Sequence, residues 1–172
     1  EFKVLADVCA VGHFIPIPNT PTIDIVPGPP AIWRAVLSSL RRPGERFHFG
    51  FKAEDGWGNP TEHAEGSFIF EPTLPVNNLP ETFDYPLGER SVSFEDLSCD
   101  QTGELRITVR ARESGAVVAE SHPMQIRDGQ YGAYWGDLHG QSGESIGIGT
   151  SHSYFDFARN KAFLDLTSHQ AN

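Results

Sequence analysis

Tyr134-Trp-Gly-Asp-Leu-His139 and Leu164-Asp-Leu-Thr-Ser-His169 are two short runs near the end of the chain, and each has the pattern of a β-strand that ends in a histidine. Between them, residues 153–163 place apolar side chains on a period near 3.6, which predicts a helix. A strand, a crossover helix and a second strand predict a βαβ unit with parallel strands. Parallel strands end at one edge of a sheet, so His139 and His169 are expected side by side, where α/β enzymes hold catalytic groups.

The side chains around these strand ends suit a metal site. His139 and His169 are the predicted imidazole ligands. Asp137 is a further candidate, as a ligand, as an outer partner that orients His139, or as a turn cap. Gln141 alternates onto the face of Asp137 and His139 and is predicted as a weak oxygen ligand, with a plain loop residue as the alternative. Glu144 is the candidate catalytic base for water, with a solvated loop carboxylate as its alternative.

The run Trp135-Gly-Asp-Leu-His-Gly-Gln-Ser142 resembles the opening motif of the polymerase and histidinol phosphatase (PHP) superfamily of metal-dependent phosphoesterases. In that superfamily the first strand ends in Asp-Leu-His-x-His and the second in a further histidine. The resemblance is strongest to a branch with an N-terminal β-sandwich, which reads Gly-Asp-Leu-His-Gly-Gln-Ser and His-Gln at these places. Two positions depart from the general pattern, because Gln141 replaces the second histidine and Ile146 stands where an aspartate is usual.

The resemblance implies a TIM-like barrel, divalent Zn, Mn or Fe as cofactor, and hydrolysis of a phosphoester. Asp137 and Glu144 would be the catalytic side chains, and His139, His169, Gln141 and Asp137 the metal ligands. The glutamine leaves amide or ester hydrolysis, or a lyase reaction, open as well.

The first 130 residues have the pattern of a β-sandwich. Phe47, Phe49 and Phe51 alternate with polar residues, and so do Leu105, Ile107 and Val109, which predicts one buried core. Six or seven short strands without a helical period favour an immunoglobulin-like sandwich. Arg127-Asp-Gly-Gln130 is the predicted boundary between a sandwich domain, residues 1–130, and the start of a barrel, residues 131–172.

Length limits the second domain. A barrel of this type needs roughly 200 residues, whereas residues 131–172 supply only its first βαβ unit. We therefore expect a piece of a longer polypeptide, with the other metal ligands downstream or on a companion chain. Expressed with the sandwich but without downstream sequence, residues 131–172 are expected to be disordered or to aggregate, and to show no hydrolase activity.

The amino-acid composition limits the kinds of partner that we expect the chain to bind. A net charge of −10 argues against nucleic acid, and no apolar run approaches the length of a membrane span. A small-molecule substrate is expected, and an anionic one stays open because a bound metal dominates the local field. Oligomerisation and the compartment stay open, with a slight preference for the cytoplasm. The predicted function is a metal-dependent hydrolase; the alternatives are a non-catalytic binding or assembly module with a silent barrel remnant and, third, a redox metalloenzyme.

Overall fold

β-Strands dominate the part of the chain that the computed structural model describes, residues 4–17 and 25–170. The strands are β1 (Leu5–Ala6), β2 (Ile15–Pro16), β3 (Ile32–Val36), β4 (Leu40–Arg41), β5 (Phe47–Glu54), β6 (Gly66–Pro72), β7 (Thr82–Tyr85), β8 (Val92–Leu97), β9 (Gly103–Leu105), β10 (Ile107–Ala111), β11 (Val117–Glu120), β12 (Met124–Ile126), β13 (Gly136–Gly140) and β14 (Leu166–His169). Within these ranges there is one α-helix, α1 (Ser151–Asn160), and it is too short and too polar to span a membrane.

Two antiparallel sheets pack against each other to form the larger part of the molecule. Their strand orders are β11-β10-β6-β7 and β3-β5-β8. A third sheet, β4-β12-β9, lies beside them, and in it β12 runs parallel to β4 and antiparallel to β9. We call residues 32–126 the sandwich. The prediction of a mostly β, sandwich-like fold is confirmed at this level.

The predicted core is buried as a single cluster. Phe49 and Phe51 are 0% exposed, and Ile107 is 0% exposed on the facing sheet. The remaining residues of the predicted set, Phe47, Leu105 and Val109, are buried in the same cluster. Alternate side chains of a strand point to opposite faces, so the period-two pattern places all of them on the inner face.

Aromatic rings fill the space between the two sheets. Phe51 of β5 meets Phe68 of β6 edge to face, with ring centroids 5.0 Å apart. Trp33 of β3 stacks on Phe51 at 4.9 Å and meets Tyr85 of β7 edge to face at 5.0 Å. Such pairs add about 0.5–1.5 kcal/mol each to the stability that burial supplies. These ring contacts join the two sheets across the core of the sandwich.

The end of the described chain forms the expected βαβ arrangement, which we call the C-terminal unit (residues 133–170). β13 and β14 pair in parallel, and α1 connects them. The helix differs from the predicted range of 153–163. It starts earlier because the Thr150 side chain caps it, accepting the Ser153 amide at 3.0 Å. It ends at Asn160, because Lys161 at its C-cap already leaves the helical conformation with φ of −121°. Phe163, predicted as helical, has φ of +56°, a left-handed value that no α-helix accommodates.

Phe163 docks the C-terminal unit onto the sandwich. Its ring is buried against Gly50, where a Cβ would lie 2.5 Å from the ring. His48 Nε2 lies 3.2 Å from the Phe163 carbonyl oxygen, and Lys52 Nζ donates to the Lys161 carbonyl at 2.9 Å. Side chains of the sandwich thus satisfy carbonyls just beyond the end of α1 that the helix leaves unpaired.

A buried arginine forms the second link. Arg41 is 2% exposed, and its Nη2 donates to Asp165 Oδ1 at 2.6 Å. Its Nη1 donates to the Ala133 carbonyl at 2.7 Å, and its guanidinium lies 4.4 Å from the centre of the Tyr134 ring. The other carboxylate oxygen of Asp165 accepts the Trp135 amide at 2.8 Å. The predicted boundary near residue 130 therefore lies between two units that share a buried interface.

Candidate functional site

The C-terminal ends of β13 and β14 form one edge of a two-stranded parallel sheet. Asp137 pairs with Thr167, and Gly140 pairs with His169. Between these two pairs β13 advances by three residues and β14 by two, so β13 contains a β-bulge. This bulge lies at Leu138–His139 and interrupts the strict alternation from which Gln141 was expected to share a face with Asp137 and His139. Bulges re-aim side chains at such edges, and sequence periodicity does not reveal them.

His139 is solvent-exposed at this edge. Its backbone amide donates to Asp137 Oδ1 at 2.9 Å, while its ring makes no hydrogen bond within the described residues. Asp137 Oδ2 lies 3.3 Å from the Tyr154 hydroxyl, whose single proton is also within reach of Thr167 Oγ1 and the Ser168 carbonyl. The His139 amide therefore holds this carboxylate, with the Tyr154 hydroxyl beside it, and the His139 imidazole is uncommitted.

His169 is half-buried and held by the loop after β13. Its Nε2 lies 2.8 Å from Ser142 Oγ. The rings of Tyr154 and Phe155 flank it, with centroids 6.0 Å and 6.3 Å away. Its Nδ1 makes no hydrogen bond among the described residues.

Glu144 is tied to its own loop and to the helix. Its Oε2 accepts from the Ser142 hydroxyl and from the Ser151 amide, the latter at 2.8 Å. The hydrogen bond from Ser142 lowers the pKa of the Glu144 carboxyl, and the Ser151 amide adds to this against a smaller opposing effect of burial. A carboxyl group with a lowered pKa is a weaker base. These contacts therefore favour a role for Glu144 in positioning Ser142 over the predicted role as catalytic base.

Gln141 also bonds within this loop. Its Oε1 accepts from the Ser145 hydroxyl at 3.2 Å, and that hydroxyl in turn accepts the Ser142 amide at 3.3 Å. The amide of Gly147 closes the loop by donating to the Ser142 carbonyl at 2.9 Å. Gln141 is therefore engaged in shaping the loop.

Across residues 4–17 and 25–170, no three His, Cys, Asp or Glu side chains come close enough together to hold a metal ion. The structure brings Asp137 beside the His139 amide. It also brings Glu144 and His169 into contact with the same residue, Ser142. It does not collect the four predicted ligands, His139, His169, Gln141 and Asp137, around one point, and the metal site stays a prediction.

Two residues of this edge were not assigned roles from sequence. Ser142 is 0% exposed and connects Glu144 with His169. Tyr154 lies over Gly140, where a Cβ would be 2.0 Å from its hydroxyl, and that hydroxyl also contacts Thr167 Oγ1 and, at 3.1 Å, the Ser168 carbonyl. The only sequence signal for Ser142 was the Gly-Gln-Ser run, which does not show what the serine contacts, and Tyr154 was predicted only as an apolar residue of the helix.

A cavity of about 380 Å³ lies between the sandwich and the C-terminal unit. Its lining includes His48 and Glu95 from the sandwich and Phe155, Arg159 and Thr167 from the unit. The volume falls in the range of small-molecule sites, and the lining carries both signs of charge.

Comparison with known proteins found no family model and no curated protein that matches the chain.

Proposed function

We propose that the chain carries part of a metal-dependent hydrolase site at the edge formed by the ends of β13 and β14. The observation that carries the proposal is the parallel register, in which Gly140 lies opposite His169. This register brings His139 and His169 to the same edge of the sheet, and each ring keeps a nitrogen without a hydrogen bond among the described residues. Imidazole nitrogens and carboxylate oxygens are suitable ligands for Zn, Mn or Fe.

The side chains at this edge are of the chemical types that bind such an ion. Two imidazoles and the Asp137 carboxylate supply fewer ligands than a two-metal hydrolytic site needs. We therefore propose that further ligands come from outside the described residues, either from the same polypeptide or from a companion chain. In the same proposal the sandwich is immunoglobulin-like and the C-terminal unit is the start of a PHP-like barrel.

A bound divalent ion would supply the Lewis acidity that activates water near neutral pH and polarises a scissile oxygen. Hydrogen bonds within this chain hold the side chains that would bind the ion. The His139 amide holds Asp137, and the Tyr154 hydroxyl lies against the same carboxylate, so its motion beside the imidazole is limited. Ser142 holds His169, and Glu144 holds Ser142. We propose a small phosphoester as the substrate, since that chemistry belongs to the superfamily that residues 135–142 resemble.

A serine hydrolase fits the same edge less well. Ser142 and His169 lie at the distance of a nucleophile and its base, 2.8 Å. However, the hydroxyl donates its proton to Glu144, and Ser142 is fully buried. In a catalytic triad the acid contacts the imidazole and the serine faces the substrate. Neither condition holds here.

The second candidate function is a binding module, and the cavity of about 380 Å³ favours it. A small polar ligand could lie there between His48, Arg159 and Glu95 without any reaction taking place. In that case the histidines at the edge of β13 and β14 would be incidental to the function, and metal would have no effect on binding.

Titration of metal-free protein with Zn²⁺, followed calorimetrically, tests the proposal. His139→Ala and His169→Ala should each weaken binding by roughly 10- to 100-fold or more, since even the loss of an outer partner costs that much. His63→Ala is the matched control, because His63 is an exposed histidine of the sandwich. Absence of binding, or equal affinity in all four proteins, would contradict the proposal. Hydrolysis of p-nitrophenyl phosphate, compared with amide and ester probes, then identifies the bond.

A further inference from the structure

We infer that Glu144 and Ser142 fix His169 as the tautomer with its proton on Nε2, which leaves the Nδ1 lone pair for a metal ion. Ser142 and Glu144 are then positioning residues that act through the imidazole. The inference deepens the proposed function and depends on it only for the ligand of Nδ1. The tautomer itself follows from the directions of the hydrogen bonds.

The serine hydroxyl decides these directions. It has one proton to donate and two lone pairs to accept with. Glu144 Oε2 takes the proton, because an ionised carboxylate only accepts. The Glu144 backbone amide, which only donates, contacts Ser142 Oγ at 3.2 Å and uses one lone pair. The remaining lone pair faces His169 Nε2 at 2.8 Å, and Nε2 must therefore carry a proton.

The opposite tautomer would leave two acceptors competing for one proton. With the lone pair on Nε2, either Glu144 or His169 would face a serine lone pair at hydrogen-bond distance. Ser142 is 0% exposed, so this conflict would arise where water cannot replace the lost partner. Unmatched polar contacts at a buried site are disfavoured for that reason.

The fixed proton determines which nitrogen can bind an ion. Nδ1 makes no hydrogen bond within residues 4–17 and 25–170, and it is the nitrogen that keeps a lone pair in this tautomer. Histidines that bind metals commonly donate their other N–H to an outer group, which orients the ring and raises its basicity. In this chain Ser142 accepts that N–H, and Glu144 in turn holds the Ser142 hydroxyl.

Long-range ¹H–¹⁵N correlation spectra of the metal-free, histidine-labelled protein measure the tautomer directly. At about pH 8, above the ordinary histidine pKa, His169 should show a protonated Nε2 and an unprotonated Nδ1. Ser142→Ala should lower the ratio of the Nε2-protonated to the Nδ1-protonated form of His169 by roughly tenfold, the equivalent of one hydrogen bond. Glu144→Gln should also change it, because an amide can donate to the serine. Ser145→Ala is the control, since Ser145 bonds to Gln141 and to the Ser142 backbone but not to the ring.

A proton on Nδ1 in the unsubstituted protein would overturn the inference, whether or not the variants fold. An unchanged ratio in both Ser142→Ala and Glu144→Gln would overturn it as well. Addition of Zn²⁺ separates this inference from the proposed function. If the tautomer is as stated but no histidine resonance responds to Zn²⁺, the proposed function fails and the hydrogen-bond assignment stands.

Discussion

Replacing Asp165 by alanine should cost the protein much of its stability. The carboxylate contacts Arg41 Nη2 at 2.6 Å and the Trp135 amide at 2.8 Å, and both side chains of the ion pair are largely buried, with exposures of 2% and 10%. Asp165→Ala leaves the guanidinium in place without its counter-ion. Arg41 Nη1 would still donate to the Ala133 carbonyl, but within the described residues no other carboxylate pairs with this charge, and Nε has no hydrogen-bond partner even in the intact protein.

The size of the effect follows from burial. Removing one partner of a buried ion pair costs about 3–5 kcal/mol, because the other charge stays desolvated. Replacing both partners with apolar residues is often close to neutral for the same reason. Asp165→Ala should therefore lower the free energy of unfolding by about 3–5 kcal/mol, and adding Arg41→Leu should recover part of that loss.

Urea unfolding followed by tryptophan fluorescence measures both variants. Glu71→Ala is the matched control, since the Glu71–Arg110 pair has a similar distance of 2.7 Å but side chains that are 49% and 37% exposed. Its loss should cost about 0–1 kcal/mol. If Asp165→Ala costs no more than Glu71→Ala, the ion pair does not hold the C-terminal unit on the sandwich, and the reasoning from burial is refuted.

Two further predictions concern the same unit. Gly140→Ala should destabilise the protein by about 1–3 kcal/mol, because a Cβ would lie 2.0 Å from the Tyr154 hydroxyl; Gly129→Ala, with nothing within 4 Å, is its control, and equal urea midpoints would contradict this. Burial raises the pKa of Glu45, but hydrogen bonds, led by that from Tyr134, lower it from 4.5 to about 2. The ionised group thus stabilises the fold above about pH 4.5, and this contribution is lost as the pH falls toward 2. Tyr134→Phe should raise that pKa and flatten the pH dependence, as NMR titration of the carboxyl and unfolding between these pH values would show.

Periodicity predicted the parts of the structure that are regular. The alternation of Phe47, Phe49 and Phe51 requires one face of a strand to be buried, and that face lies in the core. Two short strand-like runs on either side of a 3.6-residue period similarly predicted β13, α1 and β14. Each of these patterns depends only on neighbours along the chain, and for that reason a single sequence reveals it.

The contacts that position the site depend on distant residues. Arg41 is buried because Asp165 and the Ala133 carbonyl lie opposite it, more than ninety residues away. Phe163 looked like the end of a helix, yet it leaves the helix to pack on Gly50. Sequence patterns report neither kind of contact, and the expectation that residues 131–172 are disordered or aggregate when attached to the sandwich without downstream sequence does not take them into account. That expectation stays a prediction.

The candidate site was predictable in its histidines but not in its hydrogen bonds. His139 and His169 follow from the two strand ends, and the parallel pairing brings both to one edge. The bulge at residues 138–139 and the serine between Glu144 and His169 depend on how the loop folds back after β13. These details decide which atoms can act, and they come from the tertiary structure.

Anomalous diffraction at the zinc absorption edge, from crystals of the protein grown with Zn²⁺, tests the central claim most directly. The account predicts a peak about 2.1 Å from a ring nitrogen of His139 and from Nδ1 of His169. Crystals of the His139→Ala protein should lose or weaken that peak. A zinc ion bound elsewhere, or no ordered zinc at either histidine, would contradict a metal site at the ends of β13 and β14.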